Sequence, residues 1–377
     1  MIAWPSQKPQ TWRMMTGRRG LRVHFCYALT LIVLCSLYLL FPREYHPVLS
    51  IQRISNIQQS DLHTFTSHAV NNTVVVVPVN GGMLHWADNL VCSLKQTSFN
   101  ASNIVFWCLD ESAQDHLSQR GFATYRDTTL FSVSRDENIR GNTRDYARMM
   151  KERPKFYSDL LRTGLDMMML DVDTIWYQSP LEIVPRWEER SLVDVVYSTD
   201  ARDFYQAKNA FRDFNRRGPY IPPVCNGVFW MKSSPRTISI WTEMMAVFEA
   251  SWWQKPIWTH FLFQDDQRGM DVILNDGRAR LVEPFPGGIT SEMVQGRYKD
   301  TADLNVRLLD QTQVVNGQLL KFQQRRYHTN LAELRSMGKA RIAAHFNWST
   351  RSEGSKDAGA KELGMFYLDD HGECILN

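Results

Sequence analysis

At 377 residues, 44% hydrophobic and 22% charged, the chain has the composition of a globular protein with room for one large domain or two modest ones. A net charge of +3 gives no sign of the strongly basic patch or stripe of a nucleic-acid-binding domain, so no nucleic-acid partner is expected.

The N-terminus carries the first signal. Val23 to Phe41 (VHFCYALTLIVLCSLYLLF) contains no Asp, Glu, Lys or Arg, and at 1.5 Å per residue it reaches across roughly 28 Å of hydrocarbon. Arg13, Arg18, Arg19 and Arg22 precede it, against Arg43 offset by Glu44 after it. That asymmetry places the N-terminus in the cytoplasm and the remainder in the lumen or outside. A cleaved signal peptide has a shorter apolar core and ends in small residues, whereas this run ends in Leu39-Leu40-Phe41. The expected organisation is therefore a cytoplasmic tail over 1–22, a signal anchor over 23–41, a stem over 42–72 and a folded domain over 73–377. The stem assignment rests on Gln52, Ser55, Asn56, Gln58, Gln59, Ser60 and Ser67, scattered without a sustained apolar period.

Of the six cysteines, Cys26 and Cys35 fall in the span. Cys92, Cys108, Cys225 and Cys374 follow it and could form up to two disulfides in an oxidising compartment. None has the CxxC spacing of a zinc site. Asn71-Asn72-Thr73, Asn100-Ala101-Ser102 and Asn347-Trp348-Ser349 read as glycosylation sequons.

From Thr73 the pattern changes. Thr73-Val74-Val75-Val76-Val77 reads as a buried strand stopped by Pro78, and Ile104 to Leu109 as a second, with a helix around Leu90, Leu94 and Lys95 between them. Tyr146, Met149, Met150, Phe156, Leu160 and Leu161 follow a helical spacing that Pro154 is expected to kink or restart and Gly164 to end. Leu165 to Leu170 is then an apolar strand running into Asp171. Alternating strands and helices predict an α/β domain with a mainly parallel sheet.

Asp171-Val172-Asp173 closes that strand. In extended chain its two carboxylates point to one side, at the C-terminal strand end where open α/β sheets bind ligands. Paired carboxylates there suit Mn2+ or Mg2+. They equally suit a solvated strand end, since the tripeptide is common by chance.

The stretch from Lys155 to Gly164, followed by MMMLDVDTIWYQSPLEI, resembles the nucleotide-diphospho-sugar transferases of GT-A fold, most closely glycosyltransferase family 77. Asn226-Gly227-Val228-Phe229, Asp266-Gln267, Asn316-Gly317 and His345-Phe346-Asn347-Trp348 continue the resemblance in order, over roughly residues 73–370. It implies a Rossmann-like GT-A domain that moves a sugar from a UDP-sugar to a glycan or glycoprotein with retention, in the Golgi membrane. It assigns Asp171, Asp173 and His345 to the metal, with Asp171 also near the nucleotide. Lys155, Arg148, Gly227 and Lys356 would meet the diphosphate or sugar, and Asn226, Asp266 and Gln267 the reacting centre. On residues alone, His345 after Ile342-Ala343-Ala344 reads as a core histidine, and Asn226-Gly227 as a turn. Likewise Asp265 reads as a helix N-cap, and Arg148, Lys155 and Lys356 as solvated cations. Trp252, Trp253 and Trp258 read as core or as a platform for acceptor sugars.

Overall fold

The computed structural model describes residues 57–127, 143–205, 221–249, 265–294, 302–347 and 356–376. In chain order the elements are α1 (Gln59–His68), β1 (Thr73–Val79), α2 (Leu84–Leu94), β2 (Ile104–Cys108), α3 (Glu111–Gln119), β3 (Ala123–Tyr125), α4 (Thr143–Leu161), β4 (Asp166–Leu170), β5 (Thr174–Trp176), β6 (Val195–Thr199) and β7 (Val224–Met231). There follow α5 (Pro235–Glu249), α6 (Asp266–Ile273), β8 (Ala279–Leu281), β9 (Leu304–Leu308), β10 (Val314–Asn316), α7 (Gly317–Phe322), α8 (Gln324–Ser336), β11 (Ala343–His345) and α9 (Lys356–Glu362).

An eight-stranded sheet runs β3-β2-β1-β4-β7-β6-β9-β8. Its pairs are parallel except where β7 lies antiparallel between β4 and β6. The apolar runs are continuous because both faces are covered. Val74, Val76, Met167 and Met169 pack with Phe156 and Leu160 of α4, while Val75, Val77, Met168 and Leu170 pack with Leu90 and Leu94 of α2. The strand expected to stop at Pro78 continues to Val79, because Pro78 pairs with Trp107 of β2 and lies beyond the last β1–β4 pair, Val76–Met169.

Gly164 ends the turn after α4 at φ +91°, its N–H donating to Leu161 O. Pro154, by contrast, neither breaks nor restarts α4. Met150 before it and Phe156, Tyr157, Leu160 and Leu161 after it are all buried, which offsets the lost backbone hydrogen bond.

The stem expected through residue 72 is helical from Gln59, and its Phe65 is fully buried against Tyr125 and Phe156. One side chain carries that packing, too little for a periodic signal. Phe65→Ala is expected to cost about 3–5 kcal/mol, read as a shifted urea midpoint. A shift no larger than that of exposed Gln59→Ala would show α1 to be outside the cooperative core.

Cys92 on α2 bonds Cys374, while Cys108 and Cys225 are free and buried. No helix among the described residues is long and apolar enough to cross a membrane. Val23–Phe41, residues 42–56 of the stem and Trp252, Trp253 and Trp258 lie outside the described residues.

Candidate metal and donor site

The Asp171-Val172-Asp173 segment links the two sheets. β4 ends in the large sheet at Leu170, and three residues later β5 enters a three-stranded sheet ordered β10-β11-β5. The antiparallel β11–β5 register sets His345 opposite Thr174, so the histidine arrives beside the two carboxylates. Its Nε2 lies 3.4 Å from Asp171 Oδ2 and 3.4 Å from Asp173 Oδ1. One potential ligand atom from each of the three residues lies within 4.8 Å of the others.

The chemistry of this cluster fits a divalent cation. His345 is 2% exposed and its Nε2 has no hydrogen-bond partner, although it faces two acceptors. Burial opposes a charged imidazole, yet Cys225 and Asp173 push the His345 pKa well above its ordinary value. Burial likewise opposes a charged Asp173, but Lys356 and His345 hold its carboxyl well below the usual range. The Lys356 ammonium pairs directly with Asp173. The cluster thus gathers carboxylate oxygens and one imidazole at a point that favours positive charge, a donor set that suits Mn2+ or Mg2+.

A β-bulge shapes the opposite wall. The β6–β7 register jumps from Tyr197–Phe229 to Ser198–Cys225, which releases Asn226 and Gly227 from β6. Gly227 O accepts from Asp171 N at 2.6 Å, drawing β7 against the Asp171, Asp173 and His345 cluster. A Cβ at Gly227 would collide with His345 Cε1 and Asp171 Oδ2 and lie 2.8 Å from His345 Nε2. Only glycine permits this approach. The Asn226 side chain is 2% exposed, and both its Oδ1 and Nδ2 lack partners. An ordinary solvated turn would leave neither atom in that state.

Beside these groups lies a cavity of about 200 Å³, lined in part by Asn226, Gly227, Asp266, Gln267, Asp171 and His345. Asp265 caps α6 by accepting from Arg268 N, which leaves Asp266, 1% exposed, on the inward side of the first turn. Burial pushes the Asp266 carboxyl up, against the pull of Arg153, to about 6. Gln267 Oε1 accepts from Asn226 N at 3.3 Å, and its Nε2 donates to Asp200 Oδ2 at 3.0 Å.

A buried cation of the site is Arg153. It sits 3.6 Å from Asp171 and 3.4 Å from Asp266, and donates to Tyr157 Oη and Asn226 O at 2.6 and 3.3 Å. The structure brings neither Arg148 nor Lys155 into the cavity lining. Arg148 pairs with Glu152 on an exposed turn. Lys155 follows Arg153 by two positions, about 200° around the helix. The sequence signal for Arg153 was its spacing from Met150 and Tyr157, which places an arginine on the apolar face. Asp200, at the end of β6, had no comparable signal. Lys356 does reach the site, through Asp173, while Gly354 and Ser355 lie outside the described residues.

Asn347 lines the cavity as well. Its Nδ2 donates to Asp200 Oδ1 at 3.0 Å and its Oδ1 accepts from Gly317 N at 3.0 Å, so this sequon's amide is committed to the site. Asn316 is a helix cap, its Oδ1 accepting from Leu319 N.

The nucleotide-diphospho-sugar transferase family matches residues 100–357. No curated protein sequence matches the chain. Among solved structures, mouse xyloside xylosyltransferase 1 is similar at 10% identity, with 72% of this chain and 96% of that one covered and a TM-score of 0.37. The glycosyltransferase GlyE of Streptococcus pneumoniae TIGR4 is similar at 11% identity, with 78% and 60% covered and a TM-score of 0.40. An active-site mutant of LgtC is similar at 11% identity, with 79% and 98% covered and a TM-score of 0.39.

Proposed function

Because the chain belongs to the nucleotide-diphospho-sugar transferase family, we propose that it moves a sugar from a UDP-sugar to a glycan or glycoprotein with retention, giving an α-linkage. The observation that carries this reading is the cluster of half-buried Asp171 with buried Asp173 and His345, opening onto a cavity walled by Asn226 and Asp266. The resemblance to family 77 narrows the sugar to galactose, xylose or arabinose.

Asp171, Asp173 and His345 would hold Mn2+ or Mg2+. When bound, such an ion offsets the negative charge that grows on a departing diphosphate. Arg153 supplies a second, permanently charged group, held between Asp171 and Asp266 where low solvent exposure strengthens it. Asn226 offers one donor and one acceptor to sugar hydroxyls, and the bare backbone of Gly227 lets the donor lie close.

Both protein candidates for a nucleophile are engaged by neighbours. Asp266 is buried against Arg153, and Gln267 Oε1 is engaged by Asn226 N. This favours a front-face route, in which an oxygen of the leaving phosphate takes the acceptor's proton, over a covalent glycosyl-enzyme.

We further place the domain in the Golgi lumen as a single-pass type II membrane protein anchored by Val23–Phe41. The Cys92–Cys374 disulfide, which an oxidising compartment sustains, supports this placement.

The test is to incubate the full-length protein with Mn2+, UDP-galactose, UDP-xylose or UDP-arabinose, and a mixed glycan acceptor pool. UDP release is expected with one donor, to depend on acceptor, to stop with chelator and to return with added Mn2+. NMR of the product should show an α-anomer. Release at full rate without acceptor would identify a hydrolase, and no release from any nucleotide sugar a catalytically silent relative.

A further inference from the structure

Behind the proposed metal ligand His345 lies a group that the sequence motifs do not account for. Cys225 is 2% exposed, and its Sγ sits 3.5 Å from His345 Nδ1, on the ring edge opposite the carboxylates.

The proton placement follows from a neighbour. Asn347 touches an acceptor-only group, Asp200 Oδ1 at 3.0 Å, and a donor-only group, Gly317 N at 3.0 Å. Those two contacts fix which end of the amide is NH2. The NH2 end is also the one facing Cys225 Sγ, at 3.7 Å. The sulfur therefore stands as an acceptor toward Asn347, and the same electron-rich atom faces His345 Nδ1. On the other side of the ring, Nε2 is buried, without a partner and aimed between Asp171 and Asp173. A metal-binding imidazole must present a bare nitrogen there, which requires its other nitrogen to carry the proton.

We propose that Cys225 is a positioning residue: its sulfur accepts the Nδ1 proton of His345 and so holds the imidazole in the tautomer and orientation that present Nε2 to the cation. This rests on the metal reading above. Metal-binding histidines usually give this proton to a carboxylate, a carbonyl or water. Here a thiol fills the position, and the bulge at Asn226 and Gly227 follows directly on Cys225, whose sulfur faces the Nδ1 edge.

The test is an electron paramagnetic resonance titration of free Mn2+ with the full-length protein, with and without UDP. Three forms are compared: wild type, Cys225→Val (apolar, no acceptor) and Cys225→Ser (acceptor kept). Loss of an outer partner of a metal ligand costs about 10–100-fold in affinity. Cys225→Val is therefore expected to bind Mn2+ at least about 10-fold more weakly, with a metal-free melting temperature near wild type. Cys225→Ser is expected to recover most of that loss. Should the valine variant fail to fold, Cys225→Ala, which adds no bulk, replaces it. Wild-type affinity in the apolar variant would overturn the role of Cys225 and leave the metal reading standing. A serine variant as weak as the valine would make the residue a packing element and overturn the proposal too. No Mn2+ binding by wild type would remove both readings together.

Discussion

Gly227→Ala is expected to lose Mn2+ binding and to lower transferase activity by at least about 100-fold, the scale of a 1 Å misplacement in a reacting site. The single methyl would occupy space already filled by His345 and Asp171, which are themselves proposed ligands. Relief requires one of these side chains to swing out of the cluster, which itself dismantles the proposed site, because their backbones cannot retreat. His345 lies in β11, whose register against β5 is fixed, and Asp171 is tied to Gly227 by its own backbone N–H. Overpacking of this kind costs about 1–3 kcal/mol, so the fold should persist while the cluster opens. The measurements are Mn2+ titration, UDP release and near-ultraviolet circular dichroism on one preparation. Activity within tenfold of wild type, with native dichroism, would show that β7 has slack to retreat and that the close approach is incidental.

The same residue shows why the site was only partly legible in the sequence. Asn226-Gly227 suits an ordinary turn, and nothing local distinguishes that from a bulge pressed against a metal cluster. The distinction lies in pairing partners far along the chain: Tyr197 and Ser198 on β6, Leu170 on β4 and His345 on β11. The strands β1, β2 and β4 were readable because burial on both faces makes their apolar runs continuous. Asp171 and Asp173 were readable because a strand ended at them. His345 became a ligand candidate only through order along the chain, since its flank Ile342-Ala343-Ala344 is that of any core strand. What brings it to Asp173 is the parallel β10–β11 and antiparallel β11–β5 pairing, which no short window contains.

The cations of α4 divide for a different reason. The family resemblance pointed to Arg148 and Lys155, neither of which lines the cavity. Arg153 was passed over because it shares the buried face of α4 with Met150 and Tyr157. A cation on an apolar face is the rarer pattern and the more informative one, since it persists only where anions await it. Here the anions are Asp171 and Asp266, one from each side of the cavity.

From that arrangement, Arg153→Met should lower UDP release by about 100-fold or more, the loss typical of removing one donor aimed at developing charge. Arg148→Ala and Lys155→Ala should stay within a few-fold of wild type. Breaking a buried pair from one side also costs about 3–5 kcal/mol, and this cost should depend on pH with a definite sign. Asp266 has a native pKa of about 6 against an ordinary 3.8, so between those values the folded protein holds a proton that the unfolded chain releases. Its contribution to stability is fully present below 3.8 and declines as pH rises through about 6. Without Arg153 the burial penalty on Asp266 is no longer opposed, so its native pKa should climb and the decline should extend toward neutral pH. The melting temperature of Arg153→Met should therefore fall more steeply than that of wild type between about pH 5 and 7.5. In Arg153→Met/Asp266→Asn the extra slope should vanish, because no carboxyl remains to be charged. Parallel pH profiles for wild type and Arg153→Met would mean that Asp266 does not depend on this guanidinium.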